Sequence, residues 1–504
     1  MIRLCAAALL LVVQGCVVGP KYHPPAPPAA PAAVYKEDPT QSQDAGGWTV
    51  AQPSDATLRG KWWEIFNDPE LNALEDQMDI NNQNIKQYFE NFMAARAVVR
   101  EARSQYFPTL SVAPSVAHSR ASANVGASAN ASGTGATSNP QLQSTLYSLP
   151  LEASWEPDLW GKVRNTVRQA HYAAQVSAAD LENERLAEQA SLAEYFFEIR
   201  GQDKLQQIYD DTVKADQQAY ELTHSLYEAG IDDQISVVEA ETTLQSAQAG
   251  ATNVGVARAQ YEHAIAVLIG KAASDFVIPV KTMTVAPPPI PVGVPSELLE
   301  RRPDVAAAER TMAEANASIG IAYAAYYPNL TLTGAGGFES SAFGKWLSWP
   351  SRFWSVGASI PEIIFDAGLR RATVQQNVAT YNADLASYRQ TVLIAFQQVE
   401  DSLAEVRILS KEIQQEQQAV DSAETFLKLE QARYDTGVDP YVDVLIAQTT
   451  VLADQQTLNA LQVQRMTSAV ALVEALGGGW DRSQLPTTQQ ITQKPAKSET
   501  TIEQ

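Results

Sequence analysis

Nine apolar residues, Val378, Leu385, Val392, Val399, Val406, Ile413, Val420, Leu427 and Tyr434, recur at a strict seven-residue interval. One phase held over that distance predicts a coiled-coil seam, and the seven-residue period predicts left-handed supercoiling. At about 1.5 Å per residue the helix carrying them is on the order of 85 Å long, so it projects from any compact body. Phe396 and Leu403 fill companion positions that Ser410, Gln417 and Glu424 take further on. The seam therefore grows polar toward Gly437, as a loosely packed tip that opens would require. The same phase is weaker earlier in the chain, where Leu192, Ile199, Val213, Tyr220 and Tyr227 keep it while Arg185 and Gln206 break it.

A second periodicity contradicts a plain rod. Leu110, Val112 and Val116 alternate with Ser111, Ser115 and Ala117, and Tyr147, Leu149, Leu151, Ala153 and Trp155 alternate with small or polar neighbours. Val356, Ala358 and Ile360 do likewise. Segments of about ten residues with period two suit a membrane β-barrel, apolar toward lipid and polar toward a lumen. Trp346, Trp349, Phe353 and Trp354 cluster near one strand end like an interfacial girdle. Only about four such strands exist per chain, whereas bacterial barrels begin at about eight. Open edges in lipid cost several kcal/mol per unpaired group, so the barrel must be shared between subunits.

The chain is also duplicated. Tyr106-Phe107-Pro108-Thr109-Leu110-Ser111-Val112 returns 220 residues later as Tyr326-Tyr327-Pro328-Asn329-Leu330-Thr331-Leu332. Further on the offset is 207: Tyr227, Gly230, Ile231 and Asp232 match Tyr434, Gly437, Val438 and Asp439, while Val237, Ala240, Thr242 and Thr243 match Val444, Ala447, Thr449 and Thr450. The 13 extra residues of the first copy fit Ala121–Asn139, a small-residue run expected to be a flexible exposed loop. Each half reads as helix, strand pair, very long helix, turn and long helix. Gly230 and Gly437 fall at the turns, where glycine adopts the left-handed conformation of a helix end. The expected organisation is a leader over 1–15, a Pro-rich segment over 16–60, a first repeat over 61–286, a Pro-rich linker over 287–295, a second repeat over 296–480 and a polar, disordered tail over 481–504.

Composition narrows the chemistry. A net charge of −22 argues against nucleic acid as a partner. The five histidines are scattered and no HExxH, P-loop, GxSxG or Cys/His constellation appears, so neither an enzyme nor a metal relay is expected. Arg3 and the apolar run Leu4–Val13 read as a secretory leader too short to span a membrane. Val13-Gln14-Gly15-Cys16 looks like a bacterial lipobox, in which Cys16 takes a diacylglycerol and an N-acyl chain after cleavage; several chains make a stable anchor where one does not. Val17 after the cysteine, rather than Asp, is the pattern of lipoproteins sent to the outer membrane. No other cofactor is expected.

Taken together the chain resembles the TolC/OprM outer-membrane efflux family, most closely its lipoprotein (NodT-type) branch. The likeness runs from about Cys16 to Trp480. It rests on Cys16-Val17-Val18-Gly19-Pro20-Lys21-Tyr22, on Trp62-Trp63 with Phe66, Asp68-Pro69 and Leu71, on Leu298-Leu299-Glu300-Arg301-Arg302-Pro303-Asp304-Val305, and on two copies of Tyr-x-x-Gly followed by Val, Ala and Thr-Thr. The resemblance implies a mainly α fold with a membrane β-barrel: a homotrimer whose shared twelve-stranded barrel continues into a long α-helical coiled-coil tunnel. It implies a passive exit duct for small molecules, met in the periplasm by a membrane-fusion adaptor and fed by an inner-membrane RND-type pump. A duct for type I protein secretion and a non-pore coiled-coil lipoprotein are the alternatives. By the same resemblance Gly230 and Gly437 mark tips that contact the adaptor, Asp443 matches a constricting aspartate and Tyr434 a gating tyrosine. The first-half counterpart of Asp443 is Ser236, and Ile446 stands where relatives often carry a second acid, so Asp439, Asp232 and Asp233 are the alternative source of charge. Arg301–Asp304 reads as a helix start and Trp62 with Trp63 as packing anchors.

Overall fold

A computed structural model of the chain describes residues 17–26, 35–37, 60–120, 143–283, 287–288, 290 and 300–493. The leader, Cys16, the run Ala121–Asn139 and most of the 287–295 linker lie outside the described residues.

The duplication is legible in the helices themselves. α1 (Pro69–Asn81) precedes α2 (Gln83–Ser104), which has 22 residues, as does α5 (Pro303–Ala324) at the same place in the second half. α3 (Lys162–Glu228) and α6 (Leu369–Asp435) are both 67 residues long, and α4 (Gln234–Leu268) and α7 (Tyr441–Ala475) both 35. The long helix is thus about 100 Å rather than 85 Å, because it starts at Leu369, nine residues before the first seam residue Val378. Arg371, seven residues before Val378, puts a charge at the seam position and hid that start from the heptad. Both long helices begin after a left-handed glycine, Gly161 or Gly368. Nearby, Asp158 accepts from the Val163 and Arg164 amides and Asp366 from the Gly368 and Arg370 amides, each also paired with the arginine side chain.

α2 packs on α3, α3 on α5 and α5 on α6, forming a layer with α2 and α6 at its edges. Beyond it α4 pairs with α3 and α7 with α6. Where these meet lies the main core, built on Trp62, Trp63, Phe66, Phe196, Ile199, Met312, Val399, Leu403 and Val470. Trp62 and Trp63 are 0% and 1% exposed, and the Trp62 indole donates to Gln189 (3.1 Å), so both are packing anchors as expected. Pro303 opens α5 after Arg302, whose guanidinium grips Asp304 (2.7 Å) and the Ala475 carbonyl (3.0 Å).

The strands form one antiparallel sheet: β1 (Thr109–Val112) and β2 (Ser115–Arg120) on one side of β3 (Gln143–Trp155), then β4 (Thr331–Ser340) and β5 (Arg352–Ser359). Val112 lies opposite Leu151 and Ser115 opposite Ser148, so β1 and β2 share one register and make a single stave. The interruption falls at Ala113-Pro114, beside Pro150 of β3, where two prolines cannot donate to the ladder. Gly337 sits opposite Pro150, and a Cβ there would come 2.0 Å from the Leu149 carbonyl oxygen. Four staves result, as expected.

The expected disordered tail needs correction. Residues 481–493 are folded, ending in α8 (Thr488–Thr492), which Thr487 and Gln490 close with a capping box. Ile491 is fully buried against Val99, Ala102, Ala170 and Ala174, and Arg96 donates to the carbonyls of Gln490, Ile491 and Gln493. One buried apolar anchor and three bonds from one half-exposed arginine outweigh a polar composition.

Candidate functional site

At one end of the molecule the two helical hairpins turn over identical closures. Gly230 and Gly437 have φ of 70° and 72°. Their amides donate to Tyr227 and Tyr434, and the next residues, Ile231 and Val438, donate back to Leu226 and Arg433, all at 2.8–2.9 Å. This pattern leaves the glycine exposed at the apex and satisfies the last helix carbonyls.

The Tyr434 hydroxyl crosses between the hairpins and donates to the Asp232 carboxylate at 3.1 Å. The ring lies 5.3 Å from that of Tyr441, which is buried with Ala240 and Val444. Burial first, and then the bond to Asp232, push the Tyr434 hydroxyl up to about 12, so it stays a neutral donor near neutral pH. Asp232 also accepts from the Ser236 hydroxyl (3.0 Å), and Asp233 caps α4 by accepting from the Ser236 amide (3.0 Å).

Asp443 stands in the first turn of α7, where the helix N-terminus favours a carboxylate. It lies in one group with Asp439 and Glu430, one carboxylate oxygen of each within 4.8 Å of the others. Asp439 is ion-paired with Arg433, whose Nη2 donates at 2.9 Å. The five acid and tyrosine positions named from the sequence therefore fall into two groups. Tyr434 with Asp232 bonds hairpin to hairpin, beside Asp233, which caps α4; Asp443 with Asp439 forms an acidic cluster partly offset by one arginine.

Sequence reasoning missed Glu430, Arg433, Tyr441 and Asp216. Tyr441 continues the seven-residue interval one step beyond Tyr434, across the helix break, and could have been found there. Arg433 reaches Asp439 only because the turn at Gly437 folds the chain back, which no spacing rule for one helix reveals. Asp216, on α3, is 2% exposed, and burial pushes its carboxyl up to about 6.

At the other end the sheet divides by face. Register puts Leu110, Val112, Leu149, Leu151, Ala153, Trp155, Phe338, Trp354, Val356 and Ala358 on one side, and Ser111, Ser148, Glu152, Ser154, Thr333, Glu339 and Ser355 on the other. Leu110, Val112, Leu151, Trp354 and Val356 are exposed. Aromatic rings stand at both ends of this face. Tyr147 packs on Phe343 and Trp346, while near the helices Trp155 donates to the Tyr106 carbonyl (3.0 Å) and Trp160 stacks on Tyr327 at 4.8 Å. Tyr147 and Trp155 are about 27 Å apart along the strand, on the scale of the roughly 25 Å apolar band of outer-membrane barrels. Among the described residues no helix is long and apolar enough to cross a membrane.

Residues 17–22 strap onto the outside of the helices just below this belt. The Val18 amide donates to the Trp160 carbonyl (3.1 Å), Asn165 to the Val18 carbonyl (3.2 Å) and Asn316 to the Pro20 carbonyl (3.2 Å). Tyr22 donates to Glu309.

The family model of outer membrane efflux proteins matches residues 74–271 and 294–478, one segment in each repeat. The chain belongs to that family. It is 30% identical to the antibiotic efflux pump outer membrane protein ArpC of Pseudomonas putida, over 95% of each chain. The toluene efflux pump outer membrane protein TtgC of Pseudomonas putida is 29% identical, again over 95% of both. Among solved structures, the outer-membrane channel OprN superposes with a TM-score of 0.82 at 26% identity, over 92% of this chain and all of that one. The protein is accordingly an outer-membrane channel of an efflux system, a helical tunnel joined to a barrel. Its exposed apolar sheet is the membrane face and its hairpin turns are the opposite end of the duct.

Proposed function

We propose that the chain works as a homotrimer and as the passive exit duct of a tripartite pump, receiving small molecules from a periplasmic adaptor and an inner-membrane RND-type transporter. The observation that carries this reading is the four-staved sheet. Its apolar face has the height of a bilayer core, yet among the described residues β1/β2 and β5 are unpaired at its edges. Unpaired strand edges do not persist in lipid. Three copies closing edge to edge give twelve staves, and in the helical layer α2 and α6 are the end members that would meet between copies. No barrel of one chain satisfies the same groups.

The tips suit an adaptor, since Ile231, Ile235 and Val438 are exposed beside Gly230 and Gly437. The Tyr434–Asp232 bond is the latch of the resting tip, and the cluster of Asp443, Asp439 and Glu430 is its selectivity ring, drawing cations and repelling itself when bare. Cys16 carries the acyl and diacylglycerol anchor; the strap supports this by fixing Val17 beside Gly161 at the junction of barrel and tunnel. ArpC and TtgC are named for antibiotic and toluene efflux, and the cargo class that covers both is small lipophilic compounds.

Deleting the gene from the cell that makes this protein tests the assignment. The expected result is a severalfold fall in the inhibitory concentration of lipophilic antibiotics or aromatic solvents, restored by the intact gene. Unchanged susceptibility together with loss of a secreted polypeptide would transfer the duct to protein export.

A further inference from the structure

Between the strap and the outer face of α5 and α6 lies a groove of about 500 Å³, lined by Val18, Gly19, Pro20, Ile319, Tyr323 and Val378. No charged side chain lines it. Ile319 is buried, but Tyr323 and Val378 remain 40% and 37% exposed, and Val17 at the rim is exposed as well. Tyr323 lies one helical turn from Tyr326 and Tyr327, so the groove opens at the aromatic belt.

The strap that forms one wall has little freedom to move. Gly19, at φ 117°, lies so close to α5 that a Cβ on it would come 2.6 Å from the Gly320 Cα, and a Cβ on Gly320 would come 2.5 Å from the Asn165 amide nitrogen. The two glycines allow backbone to meet helix, and the bonds of Val18 and Pro20 to Trp160, Asn165 and Asn316 hold that contact. The described chain starts at Val17, one peptide bond after Cys16. At roughly 3.5 Å per residue, a group on Cys16 is attached within about 7 Å of Val18, a lining residue.

We propose that this groove seats one acyl chain of the lipid carried by Cys16, the remaining chains entering the bilayer. The proposal rests on the lipidation of Cys16. An acyl chain matches the lining chemistry, is tethered at the groove's mouth, and covers apolar surface of Val17, Tyr323 and Val378 that the chain itself leaves exposed. A seated chain ties the anchor to α5 and α6, so the lipid fixes the height of the barrel in the membrane rather than trailing on a slack leash.

Val378→Cys provides the test, because Cys5 belongs to the leader and a lipidated Cys16 has no free thiol, leaving residue 378 as the one reactive sulfur in the mature chain. The lipidated full-length protein is compared with the same chain carrying Cys16→Ser behind a non-lipoprotein leader, both in phosphatidylethanolamine vesicles. Maleimide labelling rates are measured, with intact mass reporting the lipid. A seated chain covers the thiol at residue 378, so labelling is expected to be severalfold slower in the lipidated protein. Equal rates with the lipid mass present overturn the proposal: equally slow labelling means that a second copy or a bilayer lipid covers the groove, equally fast labelling that it stays open. A mature mass without lipid overturns the lipidation reading itself. Tyr323→Cys repeats the comparison should Val378→Cys fail to fold.

Discussion

The hydroxyl of Tyr434 ties one hairpin tip to the other, and the tie hangs on a single acceptor, Asp232. Removing it costs about 1 kcal/mol per copy for an ordinary hydrogen bond and up to about 3 where the acceptor is charged. Tyr434→Phe keeps the packing on Tyr441 and deletes the bond. It is expected to raise the open probability of the channel severalfold without lowering the melting temperature of the assembly, read as single-channel recordings beside calorimetry. Asp216 predicts a pH dependence. Its buried carboxyl is raised from 3.8 to about 6, so its protonated form favours the packed tip. That stabilisation is complete below about 3.8 and is lost as pH rises through about 6, where a charge must sit beside Tyr441. Open probability should climb between about pH 4 and pH 6, and Asp216→Asn should flatten the curve at its acidic level. A variant that still tracks pH in this window would assign the titration to another group. Of these residues, Tyr434 and the acids at 232, 233, 439 and 443 were legible in the sequence, through the repeat and the family's pattern. Asp216 was not, because its burial is created by a partner hairpin more than 200 residues away.

At the scale of elements, the seam residues marked α6 well, yet α3 is its equal in length with a poorer heptad. Arg185 and Gln206 break the phase on α3, but the helix persists because α2, α4 and α5 pack along it, and tertiary packing outweighs a local pattern. Packing also ordered the tail through Ile491, whereas the start of α6 at Leu369 is set by the Asp366 cap and the left-handed Gly368. The sheet was easier: alternation set the faces, and the alternating segment from Leu110 to Ala117 is one stave, interrupted in the structure at Ala113-Pro114. The turns carry the sharpest test at this scale. Gly437 has open space around it but a left-handed backbone, which costs a side chain about 1–2 kcal/mol. Gly437→Val should therefore weaken binding of a tip-contacting adaptor or loosen the closed tip, while far-ultraviolet dichroism of the long helices stays within a few per cent. A large loss of helix signal would show that the turn is needed to form the hairpin.

For the whole molecule, duplication, open sheet edges and open helical edges all point the same way. Each half builds one hairpin of strands and one hairpin of helices, and neither half nor the whole chain closes its own ring. The oligomer was argued from the sequence by the shortage of strands, and the register of β1 through β5 gives that argument its geometry. What the sequence withheld was how the termini dress the outside: one strap at Val17–Tyr22 against α5, another at Ile491 against α2 and α3. Both depend on contacts too distant in sequence to pattern. The central claim, a shared conducting duct with a closing tip, is tested most directly by ion conductance after the purified, detergent-solubilised protein is added to a planar bilayer, with Tyr434→Phe and Asp443→Ala alongside. The account predicts discrete cation-selective steps from a species of three subunits, rare in the unaltered protein and more frequent and longer in both variants. Silence from all three, with the trimer and its fold intact, would contradict it and leave a rod without a pore.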